Sequence, residues 1–389
     1  MTLLLISTCW RYTPSNHPSG RLIVFDINKN DIIRSCEIIE PPYRFMDPNP
    51  RGGFRGLKGI AVHEDFIAIA NASTIFIYDK NWNLIKYFWH PSCAGIHDII
   101  FQNESIWVTS TRNDLLFQFD FNGRITNFIN FRDFHFINSV APQTSKNFLS
   151  KKMILEGKIN FRDPRTHDHA FCDLLHVNSL AFLDKGDLLI SCGLIKEANQ
   201  FQFHQLINRV KMFDSLFLLN YLHKLYEFLP INNKNKREKN GKFQKRHSKS
   251  LIIKLSKHNE IIGSFIIDNC SVPSHSLRIL DRDSAIYLNS TSGELIFLDT
   301  SKTKFLYKTK VESTFLRGVT ILDDKTIFLG DNNYLIHYNL LNNKISTRTL
   351  ISDDPNEAIF EIDILPDNFT LPPKSFLEHH HNLNPISQK

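Results

Sequence analysis

Methionine is scarce in this chain: 4 in 389 residues, beside 32 phenylalanines. A sequence rich in aromatic and β-branched side chains and so poor in methionine favours sheet over a bundle of helices. No segment approaches the roughly 18 continuous apolar residues of a membrane span. The opening MTLLLISTCWRY carries no basic residue before its apolar run, and the run is too short for a secretion signal. The six cysteines (Cys9, Cys36, Cys93, Cys172, Cys192, Cys270) are scattered, with no CxxC pair or other metal-ligand spacing. A chain of this length does not need disulfide staples. The expectation is a soluble, reduced, cytoplasmic protein.

Enzyme signatures are missing as well. There is no GxSxG elbow, no GxxxxGK[ST] phosphate loop and no HExxH. A site assembled from distant parts of the chain would leave no such signature. What is present is ordinary for a folded protein: 42% hydrophobic and 22% charged residues. The net charge of +6 comes largely from one run, KNKREKNGKFQKRHSK, between Lys234 and Lys249. Without it the remainder is close to neutral. Such runs are usually solvated loops, so neither nucleic-acid binding nor a membrane surface is expected.

One unit recurs along the chain. The segments LIVFD, IFIYD, LFQFD, LIFLD and LIHYN end at Asp26, Asp79, Asp120, Asp299 and Asn339. Asp79 and Asp120 are 41 positions apart, and Asp299 and Asn339 are 40 apart. That spacing suits a four-stranded blade, at roughly 40 to 50 residues. A second set, KGIAV, HDIIF, NSLAF, HSLRI, RGVTI and FEIDI, starts at Lys58, His97, Asn178, His275, Arg317 and Phe360. These continuous apolar runs fit the innermost strands of six blades, packed on both faces.

The two ends explain each other. Residues 2–40 carry three strands, LLLIST, RLIVFD and IIRSCEII, without a first strand, while FEIDI near the other end is a first strand without a blade. The expected fold is therefore all-β: a six-bladed β-propeller over residues 1–368, closed by pairing N-terminal strands with the C-terminal strand, which removes exposed edges. A polar tail over 369–389 follows.

Two departures interrupt the period. Residues 132–173 form a long polar connection containing the cluster His167, Asp168 and His169. Residues 195–250 form an insertion in the third blade. Its apolar residues Leu206, Val210, Phe213, Phe217, Tyr221, Leu225 and Phe228 keep helical spacing until Pro230, and the basic loop follows. This helix would pack over one face of the disc or dock a protein partner.

In a propeller the first residues of the innermost strands surround the central channel. Lys58, His97, Asn178, His275, Arg317 and Phe360 stand there, with Asp98, Ser276 and Glu361 beside them and His176 and Arg55 just upstream. His97, His176 and His275, converging from three blades, would suit a divalent metal such as Zn²⁺. Asp98 or Glu361 would then orient an imidazole or act as general base in a lyase or hydrolase. Alternatively each imidazole caps a strand end and bonds a neighbouring blade. Arg55, Lys58, Arg278 and Arg317, with Asn178 and Ser276, would face a small anionic ligand. A non-catalytic scaffold acting through the 195–250 insertion is the competing function.

The segments LLHVNSLAF (174–182), PSHSLRILDRDSAIYLNSTSGELIFLD (273–299) and FLRGVTIL (315–322) add a resemblance. They are similar to the motifs of an uncharacterised bacterial family of propeller-like proteins, which read approximately CHLNGLA, PHSPRW with a SGxGEL turn, and RGLAF. The likeness spans about residues 170–340. This chain has Leu175 where the family has cysteine and Leu277 where it has proline. The resemblance implies the propeller fold and marks His176, Asn178, His275, Ser276, Arg278, Arg317 and Gly318. It implies no activity.

Overall fold

Strand after strand pairs antiparallel with its sequence neighbour, and six four-stranded sheets result. The structure, a computed structural model, describes residues 2–13, 17–44, 54–141, 149–163, 165–166, 173–195, 249–268, 270 and 272–377. The blade that closes the ring holds β1 (Leu3–Trp10), β2 (Arg21–Asp26) and β3 (Asp31–Glu37), with β24 (Glu357–Leu365) as its innermost strand. The first blade is β4 (Leu57–Val62), β5 (Phe66–Asn71), β6 (Ile75–Asp79) and β7 (Leu84–Phe88). The second is β8 (Ile99–Gln102), β9 (Ser105–Ser110), β10 (Leu115–Asp120) and β11 (Ile125–Asn130). The third is β12 (Val177–Phe182), β13 (Leu188–Ile195), β14 (Lys249–Leu255) and β15 (Ile261–Ile267). The fourth is β16 (His275–Asp281), β17 (Ser284–Asn289), β18 (Glu294–Asp299) and β19 (Lys304–Lys310). The fifth is β20 (Leu316–Ile321), β21 (Thr326–Asp331), β22 (Tyr334–Asn339) and β23 (Lys344–Leu350).

Ring closure is therefore as the sequence predicts. β1 lies between β2 and β24, with Leu4 opposite Ile364 and Ile6 opposite Ile362. A latch secures it: Thr8 Oγ1 donates to Glu357 Oε1 at 2.6 Å, and Arg21 reaches the same carboxylate from 2.8 Å.

The recurring aspartate has a local cause. Asp79 Oδ1 accepts from the backbone N–H groups of Asn81 and Asn83, and Asp120 does the same for Asn122 and Arg124. Each side chain holds the tight turn into the outermost strand. The core lies between blades. Leu288, Leu295 and Phe297 of the fourth pack on Val319, Ile327 and Leu329 of the fifth. Leu4, Ile6 and Ile362 of the closing blade pack on Phe328 and Leu335 of the fifth. Outermost strands such as β19 and β23 are largely exposed.

After β24 the chain crosses the seam between the closing and first blades. Trp82 Nε1 donates to the Thr370 carbonyl at 2.7 Å, and Phe369 and Phe376 are buried in that layer. Two phenylalanines therefore anchor the start of the segment assigned from composition to a polar tail.

The two faces of the disc differ. On the face where the inner strands end, connections are short turns such as 63–65, 103–104 and 282–283. On the face where they begin, the chain leaves and re-enters the blades at the ends of the longer connections, as between Phe88 and Ile99, between Asn130 and Val177, and between Ile195 and Lys249. Within 131–176 two short helices are described, α1 (His135–Val140) and α2 (Lys151–Leu155).

Candidate functional site

The face with the long connections also holds the histidines. His97, His176 and His275 each present one ring nitrogen within 4.8 Å of the others. Ring centroids are 5.0 Å apart for His97 and His176, and 5.7 Å for each of the other pairs. The ring of Phe360 lies 5.4 Å from that of His97. Two cations stand over that phenyl ring: Arg317 Cζ is 3.3 Å and Lys58 Nζ 4.3 Å from its centroid. The structure thus brings five of the predicted residues, Lys58, His97, His176, His275 and Arg317, to one mouth.

Two of the imidazoles are aimed by their neighbours. His97 Nδ1 sits 2.7 Å from the Gly95 carbonyl and 2.9 Å from Thr111 Oγ1. A carbonyl can only accept, so Nδ1 carries the proton and Nε2 keeps its lone pair. His176 Nδ1 is 3.1 Å from the Asp173 carboxylate, which assigns the same tautomer. The backbone before it is held from the second blade: buried Asp114 accepts from the N–H groups of Leu174, Leu175 and His176. Thus held, His176 adopts a left-handed φ of 56°. His275 is 6% exposed, and its Nδ1 has no hydrogen-bond partner among the described residues.

Burial, then Lys58, His176 and Arg317, hold the His97 imidazolium well below the ordinary histidine range. Burial and Arg317 do the same to His275. Both rings are neutral at neutral pH. Arg317 itself is pushed down by burial and by Arg11, which stacks over Phe315.

The residues after the blade starts serve another purpose. Asp98 Oδ2 accepts from Ser179 Oγ and the Leu180 N–H of the next blade, and Ser179 Oγ accepts from Leu277 N–H. Ser276 Oγ accepts from Gly318 N–H at 2.9 Å. These side chains stitch together the inner strands of the second, third, fourth and fifth blades. Asn178 Nδ2 donates to the Ser274 carbonyl, leaving its Oδ1 without a partner among the described residues. Arg55 Nη1 is turned to the Thr13 carbonyl and hydroxyl, at the rim. Asp98 and Glu361 are bridged by Arg278, which lies 3.4 Å from the first and 2.9 Å from the second. The general base and one of the anion-facing cations anticipated from sequence are thus engaged with each other, in a charged layer inside the channel.

Below that layer, the end ringed by short turns opens as a cavity of about 340 Å³, with Arg278, Asp363 and Thr320 among apolar walls including Phe101 and Phe182. Burial pushes Glu361 up to about 7 and Asp363 from 3.8 to about 6, against the pull of Arg278. A carboxyl raised on folding binds protons more tightly in the native state. The stability Asp363 contributes is complete below pH 3.8 and is lost as pH rises to about 6. Asp363→Asn is therefore expected to flatten the urea midpoint against pH between about 4 and 6. Parallel curves for the variant and the parent would contradict this assignment.

Sequence reasoning missed Arg11, Thr111, Asp114 and Asp173. Asp173 had a signal, standing three residues before His176. Arg11 and Asp114 had none, because they act on residues of other blades; Thr111 had none, because it meets His97 from across the hairpin of the same blade, 14 positions along the chain. His167, Asp168, His169, the helical pattern 206–228 and most of the basic loop lie outside the described residues. Among the described residues no helix is long and apolar enough to cross a membrane.

No family model matches the sequence, and no curated protein does. Among solved structures, the chain is similar to a protein of unknown function from Bacteroides caccae, with a TM-score of 0.53 and 7% identity over 94% of this chain and 99% of that one. It is also similar to a chain of the nidogen/laminin complex, with a TM-score of 0.51 and 9% identity over 93% and 97%. Identities this low speak to architecture alone, and the architecture is a six-bladed β-propeller.

Proposed function

We propose that the protein binds a small anionic ligand, of the carboxylate or phosphate class, at the mouth lined by Arg317, Lys58 and the three imidazoles. The observation that carries this reading is Arg317. It is 8% exposed, pairs with no carboxylate among the described residues, and has an Nη2 without any partner. A buried cation left unpaired is costly, and an anion in the mouth relieves that cost. The guanidinium fork suits two oxygens of one planar or tetrahedral anion, and Lys58, over the same Phe360 ring, adds a point charge. The long connections gathered on this face offer the contacts for selectivity.

Calorimetric titration with acetate, succinate, citrate and inorganic phosphate tests the reading. At least one should bind, and Arg317→Met should weaken it roughly 10- to 100-fold, the usual worth of a hydrogen bond to a charged group. Lys58→Met should cost less, since it removes a single point charge. Absence of binding across the series, or unchanged affinity in Arg317→Met, overturns it.

A further inference from the structure

Among the described residues, each of the three imidazoles leaves at least one ring nitrogen without a hydrogen bond. His97 and His176 each spend Nδ1 on an oxygen that can only accept, Gly95 carbonyl and Asp173 carboxylate respectively, and so present Nε2 as a lone pair. His275 adds a buried nitrogen with no partner among the described residues. Hydrogen-bonding strand caps alone give no reason to gather one ring nitrogen of each histidine within 4.8 Å of the others.

We infer that the mouth is a centre for a first-row divalent metal such as Zn²⁺, held by His97, His176 and His275. Their offered nitrogens lie within 4.8 Å of one another. Nitrogens on one tetrahedral ion at about 2.1 Å would stand about 3.4 Å apart, so nitrogens up to 4.8 Å apart need to close by up to about 1.4 Å. That is wider than the roughly 3 to 4 Å expected of ligands already gathered on an ion, and small ring rotations span the difference. The surroundings fit a metal in two further ways. Asp173 behind His176 is the carboxylate–histidine arrangement that fixes tautomer and orientation in metal sites. Imidazole as the sole ligand type suits zinc and its neighbours over calcium or magnesium, which take oxygen.

The ligand set carries no negative charge, and Lys58 and Arg317 stand beside it. A dication there leaves an open position that an anion fills, bound to the metal and to Arg317 together. This last step rests on the proposed anion site; the metal itself does not.

The test uses the full-length protein, purified without an affinity tag, stripped with chelator, then dialysed against Zn²⁺ or Co²⁺. Elemental analysis should return close to stoichiometric metal, and the cobalt form should show the visible bands of a tetrahedral nitrogen site. His176→Gln and His275→Gln should abolish uptake. Asp173→Asn, which touches no metal, should weaken affinity by about 10- to 100-fold while thermal unfolding is unchanged. Protein that takes up no metal, or His176→Gln that takes it up as the parent does, overturns the inference. Anion binding by protein that takes up no metal would leave the proposed function standing while the metal falls. Metal uptake without anion binding would do the reverse.

Discussion

Arg278→Met is expected to destabilise the fold by about 3–5 kcal/mol, the usual consequence of removing one partner from a buried ion cluster. Asp98 and Glu361 are almost wholly buried, and Arg278 is the cation placed between them. Asp363 lies close enough to feel the same guanidinium. Without it, acidic groups brought near each other by two different blades lose their shared cation, and Coulomb repulsion acts across the axis where the blades meet. The same variant in an Asp98→Asn, Glu361→Gln background should recover most of the loss, because neutral amides leave no uncompensated charge. Urea denaturation of the three proteins decides the matter. A loss below about 1 kcal/mol in the single variant would mean that the layer is solvated and not a structural hub.

Removing the chain from residue 357 onward should abolish cooperative unfolding altogether. β24 is the innermost strand of the closing blade, and Ile359, Phe360, Ile362 and Leu365 on it are buried. Four such side chains contribute roughly 6–12 kcal/mol, comparable with the whole net stability of a typical domain. Their loss would also bare the hydrogen-bonding edge of β1 and one face of the layer against the fifth blade, a template for aggregation. Calorimetry on the truncated chain should show no transition, and a peptide of residues 355–377 added in trans should restore one. A truncated protein that still melts cooperatively would mean that the ring is stable open.

The fold was legible because its signals are local and repeated. A third strand ending in aspartate recurs because each blade needs the same turn, and Asp79 and Asp120 hold theirs through their own neighbours' backbone. The missing first strand at one end and the stray one at the other could be matched by counting. The anchoring of 369–377 was not legible, since Phe369 and Phe376 sit among polar residues whose composition says nothing of the seam they fill.

The site was legible as a ring of positions, not as a set of roles. Sequence alone determined which residues stand at or within two positions of the starts of four inner strands, and hence that His97, His275, Lys58 and Arg317 converge on one mouth, because a closed repeat sends every strand start to the same axis. The division of labour was decided only by tertiary structure. Alternate residues of an inner strand face different surroundings, so His97 looks into the mouth while adjacent Asp98 is drawn to Ser179 and Arg278. Which side chain meets a partner from another blade depends on distances between segments far apart in the chain, as with Asp114 and the backbone of His176. Those distances are set by how six sheets pack around an axis, and no spacing along the chain encodes them.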